Sequence, residues 1–398
     1  MLKKRITMDG FAFFLVFTIS VVESIPYFTF FNVLKYLSML FLAVFILLNL
    51  RFLRTPKLIN WALYLYVGLL IISSYLNKGS FNDRDIFLAS ISFSVIAIET
   101  LFIIEIAIGK GNGRLLINTF FVSCFFFCII TDFMAIFVSN SGIYFVGTKF
   151  QVSYLHMFLT ALYLVNQRVT KKPINSIFIL LDIIWSFFII GFVNCDTGII
   201  GFFFMCLLLA VSCRTKKSIS PWFLAVLFCL AFAFLFLYNS ILNSNFSIFI
   251  LDTFFDSNYS LSSRTYIFKS LESIMNNHWY LGYGYGCSYE LLTNLIGAPD
   301  AQNGLYELII YSGLIGIIPF VFLVSLAIKN SNKLYELSSI SVLFATLIFL
   351  SAIEITYTLS FFTFTFLLYV LNSSKIRKQN CLFKSAKIFN HREKLYTY

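Results

Sequence analysis

The chain has 398 residues, of which 59% are hydrophobic and only 12% are charged, and its formal net charge is +11 at pH 7. Soluble globular domains contain about 25% charged residues, so this composition excludes an ordinary soluble protein and indicates a membrane protein. Nucleic acid is a poor explanation for the positive charge, because the basic residues are spread over separate short patches.

Long apolar runs follow one another along the whole chain. A helix needs about 17–25 residues to cross roughly 30 Å of hydrocarbon, and most of the runs reach that length. The run at 199–213 is short, and only Glu354 separates the last two runs, which could form one hairpin. The sequence predicts an all-α polytopic integral membrane protein, one membrane domain over 1–398 with about twelve transmembrane helices. The predicted segments are 9–24, 27–50, 58–76, 86–108, 115–139, 151–167, 174–193, 199–213, 221–238, 304–328, 337–353 and 355–371.

The basic residues are distributed unevenly between the two sides of this topology. With the N-terminus inside, 23 of the 29 Lys and Arg residues fall on the cytoplasmic side, 5 fall outside, and Lys35 lies within a span. The positive-inside rule describes such a bias, and one missed or additional span would disrupt it. The sequence therefore predicts that both termini are cytoplasmic and that residues 372–398 form a basic cytoplasmic tail.

One loop on the predicted outer side, residues 239–303, is far longer than the others. Long ordered loops on a membrane scaffold are often functional. Ser262 or Ser263 can cap a helix there. An apolar stripe at helical spacing follows, formed by Ile267, Leu271, Ile274 and Met275. Arg264 falls in the first turn, where a positive charge is unfavourable unless an anion binds nearby. The alternative is an arginine that snorkels to lipid phosphates.

The stretch LGYGYG at 281–286 is a poor helix former. Glycine lets the backbone adopt a positive φ or approach another surface closely. Two interpretations are open at this point. The stretch is either a turn that ends the loop helix, or a place where a bulky substrate passes closely and sugar rings stack on Trp279, Tyr283 and Tyr285.

Ionisable residues within the predicted spans suggest a different class of protein, because charge in hydrocarbon is costly and often functional. They are Lys35, Glu99, Glu105, Asp132 and Asp182. A transporter, for instance a flippase for lipid-linked oligosaccharides, would suit such residues. Against it, the two halves of the chain show no common pattern, and a transporter has little use for one long outer loop. An acyltransferase is not favoured, because no His-x-x-x-x-Asp pair is present.

The eight cysteines form neither a disulfide framework nor a zinc pattern. Only Cys195 and Cys287 are expected on the outer side, and whether they pair is left open. No Walker motif or Gly-rich dinucleotide loop is present, so ATP hydrolysis is not expected.

An ordered set of short motifs resembles the polysaccharide polymerase and O-antigen ligase family of bacterial membranes. Family members carry Arg-x-x-Ile, Gly-x-Gly, His-Asn-x-x-Leu and Gly-Leu-Ile-Gly around the end of a large outer loop. The matching residues are Arg264 and Ile267, Gly282 and Gly284, Asn303, and Gly313 to Gly316. Two weaker similarities lie upstream, in FVGTK ending at Lys149 and in DTGIIG beginning at Asp196. The sequence departs from the family at Gln302, where a histidine is usual, at Cys195-Asp196, where many ligases have Ser-Arg, and at Phe150, where an asparagine is usual.

The resemblance implies a membrane glycosyltransferase that polymerises undecaprenyl-pyrophosphate-linked repeat units into O-antigen, capsular polysaccharide or exopolysaccharide. The reaction would take place at the outer face of the bacterial inner membrane. The leaving group is a lipid pyrophosphate, so cationic side chains suffice and no cofactor or metal is required. The implied partners are the lipid-linked glycan and membrane lipid, with a chain-length regulator and a flippase as further candidates and no nucleic acid. Ligase activity is an alternative, but the loss of the family histidine at Gln302 weighs against it.

Candidate roles follow from this chemistry. Arg264 can hold two phosphate oxygens with its planar guanidinium, and Lys149 and Lys269 are further cations on the predicted outer side. A general base must accept the proton of the acceptor hydroxyl. Asp196 is preferred, because it sits at a helix start beside one of the family similarities. The outer candidates are Asp196, Asp252, Asp256, Glu272, Glu290, Asp300 and His278. The catalytic candidates are thus Arg264, Asp196 and His278. The substrate-binding candidates are Lys149, Lys269, Gly282, Tyr283, Gly284, Gln302 and Asn303.

Overall fold

A computed structural model describes residues 7–26, 28, 30–53, 57–138, 142–242 and 266–372 of the chain. Three parts of the sequence that carry predictions lie outside these ranges. They are the helix-capping residues Ser262 and Ser263, Arg264, and the basic tail from residue 373 onward.

Twelve long helices make up most of the described chain. α1 is Met8–Phe17 and continues as a π-helical turn, Thr18–Val22. The next helices are α2 Phe31–Leu48, α3 Leu58–Leu76, α4 Ile86–Gly109, α5 Gly113–Phe137, α6 Lys149–Thr170, α7 Ser176–Phe192, α8 Asp196–Thr215 and α9 Pro221–Leu242. Two short helices follow, α10 Leu271–Ile274 and α11 Ser288–Ile296. The last three are α12 Gly304–Asn330, α13 Ser338–Leu350 and α14 Leu359–Asn372.

The twelve long helices coincide with the twelve predicted segments, and the predicted all-α membrane fold is confirmed. Within the described residues, seven helices are long and apolar enough to span a membrane, and four more are apolar but shorter. α6 is the exception, because it mixes polar residues such as Gln151, His156 and Asn166 with its apolar ones. The last two predicted runs are separate helices, α13 and α14, joined by residues 351–358.

Contacts between helix ends fall into two groups, as alternating spans require. On one side, which we call the cavity face, Asn77 Nδ2 donates to Gly282 O, Asn82 N–H donates to Glu290, and Asn303 Nδ2 donates to Ala352 O. The opposite face holds the Asp9–Lys110 and Lys57–Glu105 ion pairs and the hydrogen bond from Arg168 to Ser338. The cavity face is the one that the charge bias predicts to be outside.

α13 and α14, the shortest of the twelve long helices after α1, occupy the centre of the bundle. Almost every residue of α13 and α14 is buried, and α13 packs against α6, α8 and α9. Each helix rises only about 20 Å at 1.5 Å per residue, less than the roughly 30 Å of hydrocarbon. Irregular backbone at membrane depth is tolerated where protein surrounds it or where it lines a cavity. Residues 351–358 meet this condition, because they are buried or half-buried and contribute to a cavity.

The outer surface of the bundle is apolar, as a lipid-facing surface must be. Exposed leucine, isoleucine and tryptophan side chains cover the outward sides of α2, α7 and α9, for example Leu40, Leu180 and Trp222. On a soluble protein such contiguous apolar surface would cause association. Its distribution around the peripheral helices supports a multi-pass membrane protein.

α12 is broken near its cavity-face end. Gly313 has φ 60° and ψ −171°, which interrupts the helical hydrogen bonds. Residues 279–284 fill the break: Tyr283 N–H donates to Ile310 O (2.7 Å), and Leu314 N–H donates to Trp279 O (2.8 Å). The loop backbone therefore replaces the hydrogen bonds that the helix loses, which fixes the LGYGYG stretch against the bundle.

Candidate active site

A cavity of about 200 Å³ opens on the cavity face. Its walls come from the end of α1, the start of α6, the segment before α12 and the 351–360 region. Three carboxylates line it, on Glu23, Asp300 and Glu354, together with hydroxyl and amide groups. The other described lining residues are Val21, Val22, Val146, Thr148, Phe150, Gln151, Tyr154, Leu155, Phe158, Ile355, Thr358 and Ser360.

Glu23 stands at the end of α1, where the π-helical turn stops. Its backbone has φ 62°, a strained value for a non-glycine residue, and π-turns and such strain are frequent at functional sites. Ser360 N–H donates to Glu23 Oε1 at 3.1 Å, which ties α1 to the start of α14. Burial raises the pKa of the Glu23 carboxyl, while hydrogen bonds from Thr358 and Ser360 and the charge of Lys35 oppose that rise.

The backbone just before Glu354 is held by the residues that open α12. Asn303 caps this helix by accepting from Tyr306 N–H (2.9 Å), and its amide donates to Ala352 O (2.8 Å). Gly304 N–H donates to Ser351 O (2.8 Å). A Cβ on Gly304 would lie 2.9 Å from Tyr357 and 3.0 Å from Ser351, so only glycine allows this approach. The Asn-Gly pair thus positions the buried Glu354 in the cavity.

Asp300 and Gln302 form a turn directly before α12. Gln302 N–H donates to Asp300 Oδ1 at 3.0 Å, and Gln302 has φ 47°. Asp300 lines the cavity, so the position of the usual family histidine lies two residues from a cavity carboxylate.

Lys149 and Asp196 are both outside the described lining of the cavity. Lys149 is the first residue of α6, after a capping box between Thr148 and Gln151, and both capping residues line the cavity. Its Nζ donates to Asn194 O at 2.9 Å, next to the start of α8. Asp196 is exposed in the first turn of α8. Lys149 is therefore at the rim of the cavity, and Asp196 lies two residues from the carbonyl that Lys149 contacts.

His278 and Lys269 lie in a different region of the cavity face. His278 is stacked on Tyr283, with ring centroids 3.9 Å apart, and its Nδ1 lies 2.9 Å from Asn276 O. Lys269 is exposed on the helical residues 266–269 that precede α10. Neither residue is among the described residues of the cavity wall.

The predicted apolar stripe of the loop helix packs into the bundle. Ile267, Leu271, Ile274 and Met275 are all buried in a cluster with α11 and the start of α12. Tyr283 also lies in this region, where its hydroxyl donates to Ile274 O.

The glycines of LGYGYG make close approaches to the protein's own backbone. A Cβ on Gly282 would lie 2.6 Å from Ile310 O, and one on Gly284 would lie 2.7 Å from Ser74 Cα. Both glycines also have positive φ. These positions are thus explained by the packing of the loop on α12 and α3, and a substrate contact at Gly282, Tyr283 or Gly284 stays a prediction.

Two further cations lie near the cavity face. Lys35 in α2 interacts electrostatically with Glu23 and with Arg84. Arg84, in the loop between α3 and α4, is exposed and lies 5.9 Å from the ring of Tyr285. Sequence reasoning gave neither residue a role at the site, because both are far from the motifs in the chain, and Lys35 was considered only as a charged residue within a span.

The sequence was compared with models of known protein families and with curated proteins. The family model of O-antigen ligases matches residues 182–321, from α7 to the middle of α12. Over residues 182–321 the chain is similar to the O-antigen ligase family. A search of curated proteins finds no match to the sequence. The family segment contains Asp196, His278, Asp300, Gln302 and Asn303, whereas Glu23, Lys149 and Glu354 lie outside it.

The ionisable residues of the spans are mostly paired with neighbours. His156 Nε2 lies 3.0 Å from Asp132 Oδ1, and Thr160 donates to Asp182 Oδ2 at 2.7 Å. Lys57 forms an ion pair with Glu105 (3.0 Å). Glu99 is buried, and its oxygens accept no hydrogen bond from any described residue. Most of these charged residues therefore link one helix to another. This weakens the argument that ionisable residues within the spans indicate a transporter.

Cys195 and Cys287 are both buried and free. They belong to separate apolar clusters, and Cys287 Sγ donates to Gly284 O, so the disulfide left open by the sequence is not formed.

The three cavity carboxylates were not selected by sequence reasoning as a group. Glu23 is an isolated acid at the end of the first apolar run, Glu354 separates the last two runs, and Asp300 was one of several outer carboxylates. One feature of the sequence could have identified them: each acid lies next to hydrophobic sequence, on the predicted outer side of the membrane.

Proposed function

We propose that this protein is a membrane glycosyltransferase that extends a polysaccharide from undecaprenyl-pyrophosphate-linked repeat units at the outer face of the cytoplasmic membrane. The observation that carries the proposal is the cavity lined by Glu23, Asp300 and Glu354 on the face that also bears the family motifs. The positive-inside distribution of charge assigns this face to the outside, where a lipid-linked donor would be presented.

The donor pyrophosphate would bind among the cations of the cavity face. Lys149 at the rim, Arg84 on the α3–α4 loop and Lys35 behind Glu23 are the described candidates. Arg264 and Lys269 on the long loop are the candidates from sequence. Positive groups aimed at the leaving phosphate stabilise the charge that develops as the glycosidic bond breaks, so no metal is needed in principle.

A cavity carboxylate would take the proton of the acceptor hydroxyl. Gln302 replaces the family histidine, and an amide cannot act as a base. Asp300 lies two residues away and Glu354 lines the same cavity. We assign the general base to Glu354, because it is buried and held in place by the backbone contacts of the Asn303-Gly304 pair. Asp196 and His278 remain the alternatives.

Ligation of a finished glycan to a different lipid acceptor uses the same donor, and the family match supports both reactions. The absence of the family histidine at Gln302 favours polymerisation. The two reactions differ in their products, because loss of a polymerase leaves single repeat units, whereas loss of a ligase leaves long glycans on the carrier lipid.

The test compares surface and lipid-linked glycan ladders of cells that carry the wild type, the deletion, Glu354→Gln or Asp300→Asn. A general base contributes about 10²–10⁴-fold to a rate, so Glu354→Gln should remove long chains and leave single repeat units. Glu272→Gln is the matched control, since Glu272 is an exposed carboxylate outside the cavity wall. Protein levels are followed with an epitope tag.

Normal long chains from Glu354→Gln would refute its assignment as the base. If the deletion leaves long glycans on the carrier lipid, the protein is a ligase and the proposed polymerase activity is wrong.

A further inference from the structure

A second, apolar groove lies between α9 and α12, on the side of the bundle away from the cavity face. Its volume is about 520 Å³. Ala225, Cys229 and Ser325 are small, which leaves the space between the two helices open. The other described residues of its wall are Pro221, Trp222, Phe228, Phe232, Val321, Ile328 and Lys329.

The length of the groove corresponds to one leaflet of a bilayer. α9 starts at Pro221 on the opposite face, and the wall extends along it to Phe232. This stretch rises about 16 Å at 1.5 Å per residue, about half of the roughly 30 Å hydrocarbon thickness. A single extended acyl chain of that leaflet has the length and the chemistry to fill it.

The groove ends in positive charge at the membrane surface. Lys329 lines the groove, is exposed, and forms no ion pair with a described carboxylate. The first turn of α9 starts at the same end, after Ser220 has capped the N–H of Phe223, so the helix adds its partial positive charge. Trp222 is 78% exposed at this level, where tryptophan is typical of the interface between lipid and water.

The two walls are fixed to each other at this end. Ser218 Oγ, in the loop before α9, donates to Ser331 O, directly after α12, at 3.0 Å. Ser341 Oγ, from α13, donates to the same carbonyl at 2.8 Å. These hydrogen bonds fix the shape of the groove at its mouth.

We infer that this groove is a binding site for an anionic phospholipid of the leaflet on the opposite face. One acyl chain lies between α9 and α12, and the phosphate lies at Lys329 and the start of α9. Basic pockets between transmembrane helices on the cytoplasmic side are known to suit anionic headgroups. The site is separate from the cavity of the proposed reaction, which opens on the other face, and does not depend on that reaction.

The test is lipid retention by the purified full-length protein. Native mass spectrometry in detergent, with phosphatidylglycerol or phosphatidylethanolamine added in a titration, measures the affinity of each lipid. The wild type should bind phosphatidylglycerol more tightly. One lysine near a membrane surface contributes about five-fold in affinity for an anionic lipid, so Lys329→Gln should weaken phosphatidylglycerol by that factor and leave phosphatidylethanolamine unchanged. Lys171→Gln is the matched control, because Lys171 is an exposed lysine on the same face and is not part of the groove wall.

A second variant tests the apolar part. Ser325→Phe should fill the groove and weaken both lipids, with thermal melting used to show that the protein is still folded. Equal binding of the two lipids by the wild type would overturn the inference, as would unchanged phosphatidylglycerol affinity in Lys329→Gln. Unchanged binding by a folded Ser325→Phe protein would place the lipid elsewhere and overturn it as well.

Discussion

Replacement of Gly313 by alanine should destabilise the protein strongly. Gly313 has φ 60° and ψ −171°, a backbone region that is almost restricted to glycine. An added Cβ would lie 2.3 Å from Tyr280 O and 2.6 Å from Leu281 N. These atoms are backbone, so they cannot move aside without displacing the loop that fills the break in α12.

The magnitude follows from the two effects together. Forcing such a backbone conformation costs about 1–3 kcal/mol, and overpacking costs about 1–3 kcal/mol more. A loss of about 2–6 kcal/mol is large against a typical free energy of unfolding of about 5–15 kcal/mol. At roughly 2 °C per kcal/mol, the apparent Tm should fall by about 4–12 °C.

The assay is thermal melting of the detergent-solubilised protein, with its abundance in membranes measured in parallel. Gly191→Ala is the control, because its Cβ would meet no atom within 4 Å and its φ is not positive. Alanine is the better helix former, so that variant should melt at or slightly above the wild type. If Gly313→Ala melts together with Gly191→Ala, the proposed role of the helix break is refuted.

Three further predictions concern the reaction and the orientation. Lys149→Ala should shorten the glycan ladder at unchanged protein level, because a rim cation for the donor phosphate is lost. A normal ladder would make Lys149 a solvated lysine whose visible contact is Asn194 O. Arg264, outside the described residues, should tolerate neither replacement fully: Arg264→Ala should abolish long chains, and Arg264→Lys should recover only a minor part, since lysine cannot bind two oxygens at once. Long chains from Arg264→Ala at normal abundance would exclude the residue from the mechanism. Finally, in a cysteine-free background, Lys78→Cys should react with a membrane-impermeant thiol reagent in intact spheroplasts and Lys172→Cys should not, because the two exposed positions lie on opposite faces. The reverse labelling pattern would invert the orientation.

The positions of the long helices could be predicted because each is a continuous apolar run. Even the ambiguous end of the chain had the correct number of helices. The apolar runs did not predict that α13 and α14 are buried at the centre of the bundle. Their shortness results from burial at the centre of the bundle, which the sequence around Glu354 does not reveal.

The candidate site was predicted less completely, because its residues come from distant parts of the chain. Asn303 was selected by resemblance, and the structure adds a specific role, the support of residues 351–358. For the glycines the sequence left open a turn or close passage of a substrate, and the structure shows close approaches to α12 and α3. Glu23 reaches the cavity only through the π-helical turn at the end of α1, which no local pattern indicates.

The break in α12 also constrains the order of events during synthesis. Residues 279–284 leave the ribosome before α12, so the segment that completes the broken helix is synthesised before its partner and has to wait for it. Only when α12 has entered the bilayer can the waiting segment pair with Ile310 and Leu314. Residues 351–358, which Asn303 and Gly304 hold, emerge later still. The cavity is therefore closed by the last part of the chain to be inserted, so a ribosome-bound protein that lacks α14 is already anchored in the membrane and has no complete site.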